Sequence, residues 1–306
     1  MEKINLNKVQ DISAGLTTLV EFLKQNYKSI FKVFAYYLAI PILLVSLLMA
    51  MGMSNYFSLI FELSNLEPGS FPTDIDPDNP FSMLSYMFPP SFFIAMILGL
   101  FLNILFTAVI YKYVQLYNNS PDGVVDIKQI QENLSGNCIK FTGLSIVAGI
   151  MLFVGFLMCI APGFYLMIII SPLFIISLEE NKGISDSFKR CFDLVQDKWL
   201  QTAGFLILVY LVMACLSSLI QLPITLLSVF APIMGIEQIG TIMGFSIVIS
   251  MIFGYLVNIV VYIASAIWYY NLREQKEGTA LMQTIDQIGS NKEDKEEPGD
   301  NFDYFR

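Results

Sequence analysis

The chain contains no histidine and only four cysteines in 306 residues. Histidine is the commonest metal ligand and general base in proteins, so its absence argues against most metal centres and most acid–base catalysts. The cysteines form no CxxC pair; they are Cys138, Cys159, Cys191 and Cys215. We interpret them as small apolar residues. The sequence therefore predicts no catalytic residues, no metal, no cofactor and no enzymatic activity.

Charged residues are scarce as well. They make up 14% of the chain, whereas hydrophobic residues make up 55%. A soluble domain carries about 25% charged residues, so the composition predicts an all-α integral membrane protein. A helix needs ~20 apolar residues to cross ~30 Å of hydrocarbon. Six runs of about that length have no charge in their interior, and these predicted spans are approximately 31–53, 91–111, 141–160, 162–178, 199–221 and 242–270.

Lysine and arginine are missing from one side of the predicted membrane. With six spans, the loops opposite the termini are 54–90, the turn at Pro162–Gly163, and 222–241, and none of them contains a basic residue. Short loops rich in Lys and Arg stay in the cytoplasm, so both termini are predicted to be cytoplasmic, with the chain in a bacterial inner membrane. The net charge of −9 leaves no basic surface of the kind that nucleic-acid binding needs.

Apolar residues recur at helical spacing before each odd-numbered span. The stripes are Ile12, Leu16, Leu19, Leu23, Tyr27 and Ile30 before span one; Ile127, Ile130, Leu134, Cys138 and Phe141 before span three; and Ile184, Phe188, Cys191, Phe192, Val195 and Trp199 before span five. Such stripes are typical of amphipathic helices, and Asp11 and Asp126 are suitable N-caps. The predicted domains are a cytoplasmic amphipathic segment at 1–30, a six-span membrane domain at 31–278 and an acidic, disordered tail at 279–306.

Two of the predicted spans resemble each other. The stretch SFFIAMILGLFLNI at 91–104 aligns without gaps with SIVISMIFGYLVNI at 246–259, with seven identities in fourteen positions. The same offset of 155 residues pairs Gly123 with Gly278. Both copies would cross the membrane in the same direction, so the pattern predicts a parallel repeat of spans two and six rather than an inverted one.

The repeat pairs Gly99 with Gly254, and Asn103 with Asn258, in the middle of these spans. Small residues at four-residue spacing let helices approach closely, and an Asn then bonds across the contact. The four positions therefore predict a packing seam. The alternative is a pair of polar groups that line a lipid or solute site.

Two carboxylates, Glu179 and Glu180, end the fourth predicted span. Carboxylates oppose the dipole at a helix C-terminus, so we expect a nearby cation. Lys189 or Arg190 of the segment at 181–199 could supply it. The predicted interfacial ion pair joins Glu180 to Arg190.

Four cues occur together between residues 161 and 208: the Pro162–Gly163 turn, an apolar span that ends in Glu, Gly183, and an amphipathic helix leading into the next span. In this respect the chain resembles the six-span membrane domain that accompanies some bacterial glycerophosphoryl diester phosphodiesterases. Its opening residues 1–34 resemble stand-alone relatives of that domain from Bacteroidetes-type bacteria. The resemblance implies a module without catalytic residues, because the phosphodiesterase chemistry of such proteins belongs to a separate barrel domain.

We therefore expect a non-enzymatic, multi-pass membrane module that interacts with membrane lipid or with a protein partner on the cytoplasmic face. Its amphipathic helices would lie in the cytoplasmic interface and anchor the bundle. The alternative is a lipid or small-solute transporter, or a scramblase, built on the parallel repeat of spans two and six.

Overall fold

The computed structural model describes residues 3–65, 75–76, 79, 81–233 and 239–278. Within these ranges the regular structure is entirely helical. The helices are α1 Ile12–Tyr37, α2 Ala39–Asn65, α3 Ser82–Met87, α4 Pro90–Asn119, α5 Ile127–Ile130, α6 Leu134–Met158, α7 Ile160–Ile169, α8 Leu173–Glu179, α9 Ile184–Val195, α10 Trp199–Ile233 and α11 Ile239–Glu277. The tail at 279–306, predicted to be disordered, lies outside the described residues.

Six segments are long and apolar enough to cross a membrane, which confirms the prediction of an all-α, multi-pass membrane protein. They are Ala39–Leu59, Pro90–Asn119, Leu134–Met158, Ile160–Glu179, Ile184–Leu226 and Ile242–Glu277. Mean hydropathy of the best window runs from 1.7 in the first segment to 2.6 in the second. We number them as spans one to six.

The first span begins later than predicted. Helix α1 continues to Tyr37. The helix is interrupted at Leu38, and α2 starts at the next residue. The cause is Pro41, which has no N–H to donate to the carbonyl of Tyr37 one turn earlier. The backbone bond from Leu38 N to Phe34 O is kept at 2.9 Å, so the break is local. Residues 31–37 therefore belong to the helix that precedes the span.

The hairpin between spans three and four turns at Cys159, not at Pro162–Gly163 as predicted. Cys159 is extended, with φ −174° and ψ 159°, and Pro162 lies in the first turn of α7. A proline is tolerated there because its missing N–H would have no helical partner. The two helices approach closely: a Cβ added to Gly163 would lie 2.4 Å from the ring of Phe156.

Span four is interrupted, although the sequence predicted one continuous helix at 162–178. Helix α7 ends at Ile169 and α8 starts at Leu173. Pro172 removes one backbone donor and disfavours helical geometry at the residue before it. The free carbonyl of Ser171 accepts a hydrogen bond from Ser265 Oγ of α11 at 2.9 Å, so the break is held by span six.

The predicted amphipathic helix at 127–141 is split in two. Asp126 caps the single turn α5, where its carboxylate accepts from the N–H of Lys128 at 3.0 Å. Asn133 then adopts a left-handed conformation with φ 57°. Residues from Leu134 onward are continuous with span three, so only one turn precedes that span.

Helix α9 forms as predicted, after span four and at the start of the fifth segment, but its apolar stripe faces the protein. Phe188 is 8% exposed, and Cys191 and Val195 are 0% exposed. Asp186 and Lys189 on the other side of the helix are exposed. The stripe is therefore part of the protein core and is not free to insert into lipid.

Many of the fully buried aromatic side chains lie at the end of the bundle that α1 and α9 cover, which we call the α1/α9 end. Fully buried aromatic side chains there are Phe22, Tyr113, Tyr117, Phe205, Tyr269 and Tyr270. Away from this end, large apolar side chains on the spans are exposed, among them Ile146, Ile150, Phe153, Leu208 and Leu211. Such surfaces suit contact with lipid tails.

Candidate functional site

A cavity of about 420 Å³ lies where span four breaks. Its walls come from α4, α6, α7, α8, α10 and α11. The lining side chains with hydroxyl groups are Tyr111, Ser145, Ser171, Tyr210, Tyr262 and Ser265. Asn258 adds one amide, and the remaining described lining residues are apolar or glycine, with no acid or base among them. The cavity thus offers hydrogen-bond donors and acceptors without formal charge.

The break in span four forms part of this cavity. Ile170 and Ser171 line it and are the residues at which the helix is interrupted. Irregular backbone at membrane depth is tolerated only where protein buries it or where it lines a cavity. The hydrogen bond from Ser265 Oγ to Ser171 O satisfies one of the carbonyls that the break frees.

A smaller cavity of about 240 Å³ lies between spans two and six. Asn103, Gly254 and Asn258 all line it, so three of the four predicted polar or packing positions come together. Gly99 does not line this cavity. It lies against α2, since a Cβ added to Gly99 would be 3.8 Å from Val45. Asn258 lines both cavities.

The two asparagine side chains do not bond to each other in the part of the chain that the structure describes. Asn258 Nδ2 donates to the carbonyl of Gly254, one turn earlier on its own helix, at 2.9 Å. Asn103 and Asn258 are both exposed, and a Cβ added to Gly254 would meet no atom within 4 Å. The space around these residues is therefore open, and aromatic rings such as Tyr262 and Phe106, with centroids 5.2 Å apart, form its wall.

The two copies of the repeat also share a backbone conformation at a glycine that follows each span. Gly123 has φ +67° and Gly278 has φ +58°, and these are the glycines with left-handed conformations within the described ranges. Gly278 directly follows α11 and donates to the carbonyl of Glu274 at 2.9 Å, as a helix C-cap glycine does. Gly123 and Gly278, which are 155 residues apart, thus share a backbone conformation that favours glycine.

An ionic cluster lies at the α1/α9 end, beside the last residue of span four. Arg190 Nε is 3.0 Å from Glu180 Oε1, and Arg190 Nη1 is 2.8 Å from Asp193 Oδ2. Lys189, the other candidate, is 3.6 Å from Asp186 instead. Of the two candidates, Arg190 is therefore the one that faces the carboxylate after span four, which Lys182 also contacts.

The cluster also joins α9 to the end of α11. Arg190 pairs with Glu277, and Lys276 pairs with Asp193. Tyr269 OH donates to Glu180 Oε1 at 3.1 Å. The ends of spans four and six are thus connected through one helix.

The environment of Glu180 favours its charged form. Burial raises the pKa of this carboxyl, but hydrogen bonds from Lys182 and Arg190 outweigh burial and bring the pKa below its ordinary value. The side chains of Glu180 and Arg190 are only 15% and 14% exposed. Partial burial makes this pair stronger than a solvated surface pair.

The N-terminal segment contributes contacts that the sequence did not predict. The N–H of Gln10 donates to Asn271 Oδ1 at 2.7 Å, and Asn271 Nδ2 donates back to the carbonyl of Gln10 at 3.1 Å. The N–H of Ile4 donates to Tyr117 OH at 3.0 Å, and Leu6 is 0% exposed. An extended segment has no periodic pattern of its own, so nothing in the sequence marked it as packed.

Comparison with models of protein families, with curated proteins and with solved structures found no match to this chain. The resemblance to the membrane domain that accompanies phosphodiesterases therefore stays a prediction. Function has to be inferred from the cavities, the ion pairs and the exposed surfaces of the chain itself.

Proposed function

We propose that this chain is a non-enzymatic membrane module that holds a lipid, with the uncharged, oxygen-rich part of the lipid in the larger cavity. The observation that carries the proposal is the lining of that cavity: six hydroxyl groups and one amide within otherwise apolar walls. Its volume of about 420 Å³ lies in the range of small-ligand sites. An amphiphile matches such a surface, whereas a charged headgroup would find no counter-ion there.

The cavity is placed for entry from the bilayer. Tyr210 lines it and is 54% exposed on α10. The neighbouring side chains Leu211 and Val212 are 60% and 55% exposed, as suits a lipid-facing surface. A lipid could therefore reach the hydroxyl groups sideways without crossing water.

The membrane in this proposal is a bacterial inner membrane, with both termini in the cytoplasm. The distribution of all 17 basic residues on the terminal side supports this orientation. The α1/α9 end then lies at the cytoplasmic interface. The exposed charged face of α9 is where a cytoplasmic protein partner would bind.

A substitution that fills the cavity tests the proposal. Gly149 lines it, and a Cβ added there would meet no atom within 4 Å, so Gly149→Leu places a side chain in the empty space. Leucine is also favoured over glycine within a helix by up to about 1 kcal/mol. We expect the variant to lose most of its co-purifying lipid in native mass spectrometry from a mild detergent, with no drop in melting temperature.

The matched control is Ile150→Phe, on the adjacent residue of α6, which is 61% exposed and outside the cavity lining. It adds bulk to the lipid-facing side and should leave the bound lipid unchanged. Undiminished lipid in Gly149→Leu would exclude the cavity as the site. Equal loss in both variants would show a general effect of bulk on α6.

The alternative function is a transporter or scramblase for a lipid or small solute, and one observation favours it. Asn258 lines both cavities, so one polar group borders two neighbouring spaces along α11. Asn258→Leu and Asn103→Leu should then abolish transport or scrambling in reconstituted vesicles while the melting temperature stays constant. If these residues form a packing seam instead, the same substitutions should lower the melting temperature, and the parent chain should show no transport.

A further inference from the structure

The outward side of α1 carries aromatic rings that no part of the described chain covers. Tyr27, Phe31 and Tyr36 are 59%, 60% and 66% exposed. The opposite side of the same helix is buried in the core, with Phe22 at 0% and Ile30 at 6% exposure. Tyrosine and phenylalanine rings at this density are unusual on a surface that faces only water.

Three lysines share that outward side: Lys24, Lys28 and Lys32 are all exposed. None of them forms an ion pair with another residue in the described ranges, and Lys28 Nζ lies 5.8 Å from the centre of the Tyr27 ring. Glu21 is the one acidic residue of α1 and lies toward its N-terminal half. We call Lys24, Tyr27, Lys28, Phe31, Lys32 and Tyr36 the Lys–aromatic face.

Helix α1 runs across the α1/α9 end. A Cβ added to Gly15 would be 3.1 Å from Phe205 of α10. Farther along, the Phe22 ring lies 4.7 Å from the Tyr117 ring of α4. Tyr37 OH then donates to the carbonyl of Ile127 at 2.8 Å, just before α2 begins. The helix thus contacts different spans along its length and lies beside their ends.

The apolar part of the Lys–aromatic face continues into the surface of span one. Tyr36 and Ile40 are one helical turn apart across the break at Leu38, and Ile40 is 77% exposed. Leu44 and Leu47 extend the same exposed stripe along α2 at 54% and 50%. Because the stripe on α2 belongs to a candidate membrane span, its extension onto α1 reaches the same bilayer.

We propose that the Lys–aromatic face binds anionic phospholipids at the membrane surface. The rings lie at the boundary between headgroups and acyl chains, where aromatic residues are enriched. The lysine stems follow the apolar surface and bring their ammonium groups to lipid phosphates. Unpaired cations beside exposed rings match a negatively charged lipid surface, and continuity with span one favours that surface over an acidic protein.

The test compares two triple variants of the full chain by native mass spectrometry, after incubation with equal amounts of phosphatidylglycerol and phosphatidylcholine. The first is Lys24→Gln, Lys28→Gln, Lys32→Gln. The control, Lys8→Gln, Lys128→Gln, Lys189→Gln, removes the same charge from exposed lysines outside α1. Each lysine near an anionic surface contributes about a factor of five in affinity. The α1 triple should therefore lose at least about tenfold in its preference for phosphatidylglycerol, and the control should keep it.

Three outcomes would overturn the proposal. They are no preference for phosphatidylglycerol in the parent chain, an unchanged preference in the α1 triple, and equal losses in the two triples. An unchanged preference in the α1 triple would indicate that the lysines bind an acidic protein partner and not lipid. Equal losses in the two triples would indicate that the preference for phosphatidylglycerol depends on net charge alone.

A depth measurement gives an independent readout that does not depend on charge removal. Phe31→Trp adds a fluorophore to the two natural tryptophans, and subtraction of the parent spectrum isolates its emission. In reconstituted vesicles we expect quenching by lipids brominated near the glycerol end of the acyl chain. Quenching by aqueous iodide without quenching by brominated lipid would place the face in water and overturn the proposal.

Discussion

Helices α1 and α9 bury the same kind of stripe and present opposite kinds of outward surface. Phe22 of α1 and Val195 of α9 are both 0% exposed and belong to one core. On its other side α9 carries charges of both signs that pair with neighbouring helices, such as Arg190 with Glu180. The outward side of α1 carries unpaired lysines and exposed rings, such as Phe31.

The difference separates two ways in which a helix can be held at the end of a membrane bundle. Helix α9 is held by core contacts on its apolar side and, on its polar side, by ion pairs to Glu180, which follows α8, and to α11. Helix α1 is held by protein on one side only, and its outward side is available to the bilayer. An apolar stripe therefore identifies the buried side of a helix, whereas the composition of the other side indicates what that side contacts.

The largest expected effect comes from a charge placed on the buried side of α9. Val195→Asp puts an unpaired carboxylate at a position that is 0% exposed, which should destabilise the fold by more than about 3 kcal/mol. The matched change on α1, Phe31→Asp at a position 60% exposed, should cost less than about 1 kcal/mol in detergent. Melting temperatures in detergent measure both. Equal losses would show that the outward side of α1 is packed.

An intermediate effect is expected from the ion pairs of α9. Arg190→Met removes a cation that pairs with Glu180, Asp193 and Glu277, and we expect a loss of about 2 kcal/mol because the pair with Glu180 is mostly buried. Lys189→Met is the control, since its side chain is 77% exposed and exposed pairs contribute about 0 to 1 kcal/mol. Chemical or thermal unfolding in detergent compares the two. A similar stability for both would mean that the cluster does not hold α9.

The spans were predictable because a bilayer requires a minimum length of apolar sequence, and six such runs were present. Their ends were less predictable, because a proline has different effects in different places. Pro162 fits in the first turn of α7, whereas Pro41 and Pro172 interrupt helices. Sequence spacing alone does not show whether a proline follows a turn or precedes one.

The candidate site was only partly predictable. The repeat singled out Asn103, Gly254 and Asn258, which do lie together. It gave no sign of the hydroxyl groups of Tyr210 and Ser145, because single tyrosines and serines are scattered through all the spans and only tertiary packing selects those that meet. The apolar stripes likewise predicted helices near 12–30 and 184–199, but not that most of their residues pack into the core, nor that Tyr27 of the first stripe faces outward.

The smallest expected effect is a pH dependence that should belong to the α9 side alone. The pKa of Glu180 is lowered in the folded protein by Lys182 and Arg190, so the stability it provides is present above the unfolded value of about 4.3 and is lost as pH falls below it. The melting temperature in detergent should therefore drop as the pH falls below about 4.3, and the drop should shrink in Arg190→Met. The Lys24, Lys28, Lys32→Gln variant should show the same acid drop as the parent, because lysines do not titrate in this range. A reduced drop in that variant would mean that α1 and α9 share one electrostatic network, and the contrast between them would then fail.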